Sequence, residues 1–331
     1  MTSSCEPVFV VGMNGSGTSM MLDSLGRHPE LYALPDETHM MPYIISQAHR
    51  FGSLEDDGNF TSYGRFAIEQ MPVLERISGG AKPDLPPDWL SLPRSVAGVF
   101  DGIFGSLAAR HGKRRWCEKT PDHVQHIEML SAAFPGARFV HMIRDGREVA
   151  CSIHRRQHRQ PELIVYRWKK LVRMGRAAGS KLPGRYLEIR YEDLTQDPRQ
   201  QMRSICEFLQ LEFADEVLHS RLPQNPQRKR LEKGEVSVIA ANPTKWQDYF
   251  DSAAVRRLEG IAGQMLDELG YEVRTETGDR DPGRWQLKYW RAVDFLRHTM
   301  ERKNTVKRLD SWRKLARHAL FSMKAYRSKR Y

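Results

Sequence analysis

The sequence predicts an α/β protein with a P-loop-like parallel sheet, helices on both faces of that sheet, and a helical C-terminal tail. Two strand–turn–helix units carry this prediction. In the first, the apolar run 8–11 leads through a glycine-rich turn into a helix. In the second, the predicted buried strand 138–143 leads through a charged turn into another helix. Repeated units of this kind pack helices against a sheet whose strands run in the same direction.

Length and charge indicate one large domain followed by a basic tail. A chain of 331 residues can bury a sizeable core. The whole net charge of +11 falls in residues 281–331, which hold fifteen Lys and Arg against four Asp and Glu, whereas residues 1–280 hold 37 of each sign. We therefore predict a domain over 1–280 and a basic amphipathic helical tail over 281–331. The neutral body argues against a nucleic-acid-binding surface.

The cysteines and the hydropathy pattern suggest a protein of a reducing compartment. Four cysteines lie far apart, without the spacing of a metal site or a C-x-x-C motif. The chain opens without a basic segment followed by an apolar one, and no run reaches the roughly eighteen apolar residues that a membrane span needs. We expect a cytoplasmic protein, and the basic tail adds the hypothesis of peripheral binding to the inner membrane face.

The turn after the first strand has the composition of a phosphate cradle. Gly12, Gly15 and Gly17 precede Thr18 and Ser19, where a helical pattern begins. Glycines let backbone N–H groups approach an anion, and a helix N-terminus adds partial positive charge. The spacing fits the P-loop pattern G-x-x-x-x-G-K-[ST], except that Thr18 stands where the lysine should be. The turn therefore predicts phosphate binding without the lysine of a P-loop kinase.

The remaining elements follow from apolar periodicity. Strands are expected at 31–34, around 116–117 and at 185–190. Helices are expected from Asp36 onward and over 95–110, 123–134, 148–156, 163–178, 198–209 and 252–269, with Gly270 as a C-cap. Residues 52–95 are expected to contain loops. The ordinary interpretation of Asp36 and Glu37 is an acidic pair that complements the dipole of a helix N-terminus.

Two basic residues lie where strands are predicted to end. Lys119 follows the short strand at 116–117, and Arg144 directly follows the run 138–143. In open α/β sheets ligands bind at the carboxyl ends of the strands. Both residues are therefore candidate ligand contacts, although a solvated side chain is the usual role of a lysine.

Four stretches together resemble a known family. They are the glycine-rich turn (similar to G-x-P-R-S-G-T-T), His28-Pro29 followed by Asp36-Glu37-Thr38, the segment Glu118-Lys119-Thr120-Pro121, and Arg144-Asp145-Gly146-Arg147 with Ser152. Tyr191 and the pair Thr244-Lys245 are weaker matches. The chain resembles sulfotransferases that use 3′-phosphoadenosine-5′-phosphosulfate (PAPS). Its layout is most similar to tyrosylprotein sulfotransferases and their bacterial relatives, over roughly residues 8–271.

The resemblance implies in-line transfer of a sulfuryl group from PAPS to an acceptor hydroxyl. It implies Glu37 as general base and Lys119 as the cation that stabilises the bridging oxygen. The implied donor contacts are Asn14, Gly15, Ser16, Gly17, Thr18, Ser19, Arg144, Ser152, Tyr191, Thr244 and Lys245. Among these, the loop would hold the 5′-phosphosulfate, and Arg144 with Ser152 would hold the 3′-phosphate. Sulfuryl carries less charge than phosphoryl, so we expect no metal requirement.

Two positions depart from the family pattern. Gly15 replaces the loop arginine, which removes a cation beside the phosphosulfate, and Lys119 and Lys245 are candidate substitutes. His39 replaces the arginine that usually follows Glu-Thr in tyrosine-modifying enzymes. We therefore expect a small-molecule, carbohydrate or lipid-linked hydroxyl as acceptor, with peptidyl tyrosine as the alternative.

Two other functions are compatible with parts of the sequence. A P-loop kinase would need a lysine at Thr18 and an acidic metal ligand after a strand, and Asp145 is the candidate ligand. A non-catalytic, basic, membrane-binding protein would use the tail, whose residues Leu309 to Met323 form an apolar face opposite Arg and Lys. The alternative for that tail is packing on the domain with its charges solvated.

Overall fold

The computed structural model describes residues 6–78, 80–220, 237–239, 245–275 and 279–305. Its contacts divide the chain into two compact units. One comprises 1–13, 17–143 and 174–242, and the other comprises 14–16, 144–173 and 243–331. The predicted boundary at residue 280 stays a prediction. The amphipathic pattern predicted over 309–323 lies outside the described residues.

The first unit is built on a five-stranded parallel sheet with the strand order β2-β3-β1-β4-β5. Its strands are β1 (Val8–Gly12), β2 (Leu31–Ala33), β3 (Arg115–Lys119), β4 (Arg138–Ile143) and β5 (Tyr186–Arg190). The central strand β1 pairs with β3 on one side and β4 on the other. Two short antiparallel strands, β6 (His219–Ser220) and β7 (Ser237–Val238), form a separate ladder. The predicted parallel sheet is confirmed.

Thirteen α-helices are present among the described residues. They are α1 (Thr18–Leu25), α2 (Met41–Gln47), α3 (Asp57–Gln70), α4 (Pro72–Ile77), α5 (Val96–Phe100), α6 (Ser106–Arg110), α7 (Ile127–Ala133), α8 (Gly146–Gln157), α9 (Pro161–Gly179), α10 (Tyr191–Gln196), α11 (Pro198–Phe208), α12 (Ser252–Glu268) and α13 (Arg284–Thr305). The predicted helical C-terminal segment is thus present as α13.

Side-chain alternation along β1 explains why helices cover both faces of the sheet. Val8 and Val10 enter an apolar cluster that also contains side chains of α1, α10 and α11. Phe9 points to the opposite face, where its ring stacks 5.3 Å from Phe139 and meets Trp116 edge-on at 5.6 Å. Aromatic rings of α5 and of the end of α7 complete this second cluster. Both faces of the predicted sheet are therefore buried beneath helices.

Three predicted helices differ from the structure. The helix expected from Asp36 begins only at Met41, because residues 36–40 form bends and turns. The helix expected over 95–110 is divided by a π-helical turn, Asp101–Gly105. The carboxylate of Asp101 accepts a hydrogen bond from the indole of Trp116 in β3. The helix expected from residue 123 starts as the 3₁₀ turn Pro121–His126. Side-chain hydrogen bonds and Pro121 explain these differences, which apolar periodicity does not report.

A buried arginine organises the second unit. Arg147 in α8 donates to Asp145 at 2.7 Å and to Glu259 of α12 at 2.5 Å, and its guanidinium lies 4.1 Å from the ring centroid of Trp246. Burial opposes its charge, but the hydrogen bonds that it donates to both carboxylates, and their negative charges, raise its pKa. The second arginine of the Arg-Asp-Gly-Arg motif therefore joins α8 to α12 as part of the core.

Candidate active site

All five strands of the sheet lead, at their carboxyl ends, into predicted site residues. β1 runs into the glycine-rich loop, β2 is followed four residues later by Glu37, and β3 ends at Lys119. Arg144 is the residue after β4, and Tyr191 is the residue after β5. Because the strands are parallel, their carboxyl ends lie at one edge of the sheet, where ligands of α/β proteins bind.

Gly17 has a backbone position that only glycine fits easily. Its φ angle is 93°, in the left-handed region, and it caps the N-terminus of α1. A Cβ atom at this position would lie 2.7 Å from Cδ2 of Tyr191. The structure therefore places the Tyr191 ring directly against Gly17.

The beginning of α1 offers backbone donors to an anion. The cap residue Gly17 provides no side-chain hydrogen bond, and the first turn contains no acidic residue. The first N–H groups of a helix lack intrahelical partners and carry partial positive charge. Thr18 is buried and Ser19 is exposed at this end. This geometry suits phosphate or sulfate oxygens.

Within the second unit, the loop residue Ser16 carries an unused donor. Its Oγ atom is buried and has no hydrogen-bond partner within the part of the chain that the structure describes. Asn14 is exposed beside it. A buried hydroxyl without a partner costs free energy, and an anion bound in the loop would satisfy it. The Ser16 hydroxyl is therefore a second feature of the loop, besides its glycine spacing, that suits a bound phosphate group.

Glu37 and Lys119, the predicted catalytic residues, form an ion pair. Lys119 Nζ lies 2.5 Å from Glu37 Oε1, and His39 Nε2 lies 3.0 Å from Glu37 Oε2. Burial raises the pKa of Glu37, but the hydrogen bonds from His39 and Lys119 prevail and lower that pKa to about 2. The structure thus brings the two predicted residues together and adds His39 to them.

A buried network fixes the backbone next to this pair. Glu118 of β3, which is fully buried, accepts hydrogen bonds from the hydroxyls of Thr38 (2.8 Å) and Thr120 (2.5 Å). Its second oxygen lies 3.0 Å from Nδ1 of His123. Burial raises the pKa of Glu118, yet the charge and hydrogen bonds of its partners lower it on balance. Sequence reasoning missed this role, although a charged residue inside a strand pattern was a usable signal.

Arg144 is held at the start of α8 in the second unit. Its guanidinium donates to the carbonyl of Gly15 at 3.2 Å and to Glu148 at 3.1 Å, and its own carbonyl accepts from the indole of Trp168 at 2.9 Å. The other oxygen of Glu148 accepts the backbone N–H of Trp246 at 2.9 Å. These contacts fix Arg144 beside the loop carbonyl of residue 15.

Arg156 was not among the predicted site residues, yet its guanidinium lies beside Gly15, where the family pattern has an arginine. Its Nη2 atom would be 3.8 Å from a Cβ placed on Gly15, and its Nε donates to the carbonyl of Ser152 at 3.0 Å. Partial burial and the nearby charge of Arg144 lower the pKa of Arg156. No acidic partner of Arg156 lies within the described residues. The guanidinium groups of Arg144 and Arg156 therefore both lie close to Gly15, the position where the family pattern has an arginine.

The last two predicted donor contacts, Thr244 and Lys245, lie where a described range of the chain begins. Lys245 is exposed and directly precedes Trp246, whose backbone is tied to Glu148. Thr244 lies outside the described residues. Within the described ranges no group of three or more His, Cys, Asp or Glu side chains is arranged to hold a metal ion. In the same ranges no helix combines the length and the apolar character needed to span a membrane.

Comparison with known proteins establishes the family. A model of the sulfotransferase family matches residues 7–215. The chain belongs to the sulfotransferase family. This sulfotransferase is 24% identical over 286 residues to protein-tyrosine sulfotransferase 2 of Gallus gallus, covering 80% of this chain and 69% of that protein. It is 25% identical over 287 residues to protein-tyrosine sulfotransferase A of Caenorhabditis elegans, covering 80% and 67%.

A solved structure supports the fold of the sulfotransferase. The sulfotransferase domain of the Synechococcus PCC 7002 olefin synthase superposes with a TM-score of 0.53 at 22% sequence identity. The match covers 81% of this chain and 96% of that domain. The predicted family resemblance and the predicted α/β fold are both confirmed.

Proposed function

We propose that this sulfotransferase moves the sulfuryl group of PAPS to an acceptor hydroxyl by in-line displacement. The observation that carries the proposal is the Glu37–Lys119 pair at the end of β3, the strand next to the one that enters the glycine-rich loop. A carboxylate that can accept a proton and an ammonium that can stabilise a leaving oxygen are the two groups that this displacement needs.

The resting ion pair has a consequence for the order of events. Lys119 is nearly buried and bonded to Glu37, so each group neutralises the other before substrates bind. We propose that Lys119 turns to the bridging oxygen of the donor, where charge develops as the sulfur–oxygen bond breaks. Glu37 then loses one of the two cations that depress its pKa and becomes a stronger base for the acceptor hydroxyl.

We propose that the donor's phosphates are held by helix and guanidinium donors. The N-terminal N–H groups of α1, with the Thr18 and Ser19 hydroxyls, suit the 5′-phosphosulfate. Arg144 and Ser152 suit the 3′-phosphate, and Arg156 supplies positive charge beside the position of the absent loop arginine. Sulfuryl transfer disperses less negative charge than phosphoryl transfer, so the proposed reaction needs no magnesium clamp.

The acceptor class is proposed on the basis of His39. Tyrosine-modifying relatives usually carry arginine at this position, so we propose a carbohydrate or lipid-linked hydroxyl. The names of the matched relatives favour a second candidate, a peptidyl tyrosine. Incubation of the protein with radiolabelled PAPS and pools of saccharides, lipid-linked hydroxyl compounds and tyrosyl peptides separates the two. Label found only on tyrosyl peptides would reject the first candidate.

We further propose that α13 faces an anionic membrane surface. Trp285 and Tyr289, one turn apart, are 79% and 65% exposed. The ammonium of Lys288 lies 4.6 Å from the ring centroid of Trp285, and Arg284 and Arg291 are also exposed. Aromatic side chains next to basic ones are typical of helices that lie at a membrane interface.

Calorimetry with 3′-phosphoadenosine-5′-phosphate (PAP), the product nucleotide, tests the donor assignment. We expect binding by the wild-type protein and a loss of affinity of at least about tenfold in Arg144→Ala, since a charge-assisted hydrogen bond contributes roughly 1.5–3 kcal/mol. Arg199→Ala is the matched control, because Arg199 forms an exposed ion pair with Asp215. Absence of PAP binding by the wild type, or equal affinity in Arg144→Ala, would reject the proposed donor site.

A further inference from the structure

Both oxygens of the Glu37 carboxylate are occupied by basic groups. Lys119 holds Oε1 and His39 holds Oε2. The two partners differ in their access to water, because the side chain of Lys119 is 9% exposed and that of His39 is 45% exposed. A carboxylate that accepts hydrogen bonds from two cations is a weak base. Proton transfer to Glu37 therefore requires a change in at least one of these partners.

We propose that Glu37 and His39 act as one proton-accepting pair, with His39 as the positioning residue that determines when Glu37 can take a proton. The inference rests on the proposed function, because it concerns the same reaction. It is carried by the contact of 3.0 Å between His39 Nε2 and Glu37 Oε2 and by the exposed position of the imidazole ring.

The reactive form of the pair holds a charged carboxylate and a neutral imidazole. As the acceptor oxygen bonds to sulfur, the bond from sulfur to the bridging oxygen of PAPS breaks and its electron pair stays on that oxygen. The acceptor proton passes to Glu37, and Nε2 of His39 takes it over, which restores the carboxylate beside an imidazolium. The exposed ring then releases the proton to water, so the pair returns to its starting state.

The charges around His39 determine the direction of the pH dependence. Its hydrogen bond to Glu37 has the largest effect and raises the pKa of the imidazole, while burial opposes this. The carboxylates of Asp122 and Glu118 also raise it, and the cation Lys119 contacts the other oxygen of Glu37. A raised pKa means that His39 stays protonated to higher pH than a free histidine. The transfer rate should therefore increase with pH through this raised pKa and then level off.

Three variants separate this role from a structural one. His39→Gln keeps a hydrogen-bonding side chain without a titrating group, and His39→Arg introduces the permanent charge that is usual in tyrosine-modifying relatives. His49→Gln is the control, because His49 is exposed and bonds only its own helical turn among the described residues. The readout is release of label from radiolabelled PAPS to water or to the acceptor found in the screen, followed from about pH 5 to 9.

We expect both His39 variants to lose about tenfold or more in rate, to lose the rise with pH, and to bind PAP with unchanged affinity. The control should match the wild type. NMR titration of the histidine side chains provides a second readout, in which the pKa of His39 should fall in Glu37→Gln. A wild-type rate that is independent of pH, or a His39→Gln variant that keeps the wild-type rate and profile, would overturn the inference while leaving the sulfotransferase assignment intact. A wild type that fails to bind PAP would instead reject the proposed function and this inference with it.

Discussion

At the scale of single residues, the most informative feature of the loop is the source of positive charge beside residue 15. The sequence lacks an arginine at Gly15, and the structure places the guanidinium of Arg156 beside that position. Because α8 passes next to Gly15, Arg156 can supply positive charge there although it lies far from the loop in the sequence. In the proposed donor site, α8 would therefore supply the positive charge that the loop does not carry.

Arg156→Ala should therefore weaken PAP binding by roughly ten- to a hundredfold, because a charge-assisted contact contributes about 1.5–3 kcal/mol. Arg155→Ala is a stringent control: it removes the same charge from the next residue, whose guanidinium lies 5.7 Å from the ring of Tyr249 instead. Calorimetric titration of both variants gives the comparison. Equal affinities would show that the charge of Arg156 does not contribute to nucleotide binding.

The difference between predicted and observed site residues has a physical reason. Lys119 and Arg144 could be selected because they lie at strand ends, which are visible as limits of apolar runs, whereas Tyr191 was selected through the family resemblance. Arg156 follows no strand, and it lies in a polar stretch at the end of a helix. Its role depends on the path of α8 beneath Gly15, which is a tertiary contact without a local sequence signal.

At the scale of secondary-structure elements, buried apolar strands were predictable and the start of α2 was not. β1 and β4 are mainly apolar and lie between turn residues, so their positions followed from composition. The segment before α2 looks like a helix N-terminus, but Glu118 binds both the N–H and the hydroxyl of Thr38 across the sheet edge. This long-range hydrogen bonding holds the segment before α2 in bends and turns, so the helix begins only at Met41.

Ion pairs attach residues 279–281 to α9, and they should contribute to the stability of the fold. Lys169 is fully buried and pairs with Asp279 at 3.2 Å and Asp281 at 2.6 Å. Lys169→Met should lower the free energy of unfolding by roughly 1.5–3 kcal/mol, because it removes the charge-assisted contacts of a buried ammonium, whereas Asp279 keeps Arg173 as a partner at 2.9 Å. Chemical denaturation measures the change. Lys170→Met, which alters the exposed neighbouring lysine, should stay within about 0.5 kcal/mol of the wild type.

At the scale of the whole molecule, the uneven distribution of charge along the chain was predictable from the sequence alone. Its proposed role in membrane binding is tested by the experiments below. Residues 1–280 are neutral and all of the net positive charge follows them. Such an arrangement allows the enzyme body to bind its substrates while a basic segment binds an anionic surface. The exposed Trp285 and Tyr289 mark the part of this segment that the structure describes.

Binding to vesicles of phosphatidylcholine with and without phosphatidylglycerol tests this arrangement. The full chain should sediment with the anionic vesicles, and added salt should weaken binding because it shortens the range of the attraction. A chain that ends at Thr305 loses nine Lys and Arg and should bind far more weakly, since each basic residue near the surface contributes about 1 kcal/mol. Its affinity for PAP should not change.

The aromatic contribution is separated by a double variant, Trp285→Ala with Tyr289→Ala, which keeps every charge. It should reduce vesicle binding at high salt more than at low salt, because apolar insertion is the part of the interaction that salt does not screen. Leu90→Ala, which alters an exposed apolar residue of the first unit, should have no effect. Equal binding to neutral vesicles would contradict the charge-based mechanism. An increase in mass with protein concentration that the double variant abolishes would show instead that this face of α13 binds a second copy of the chain.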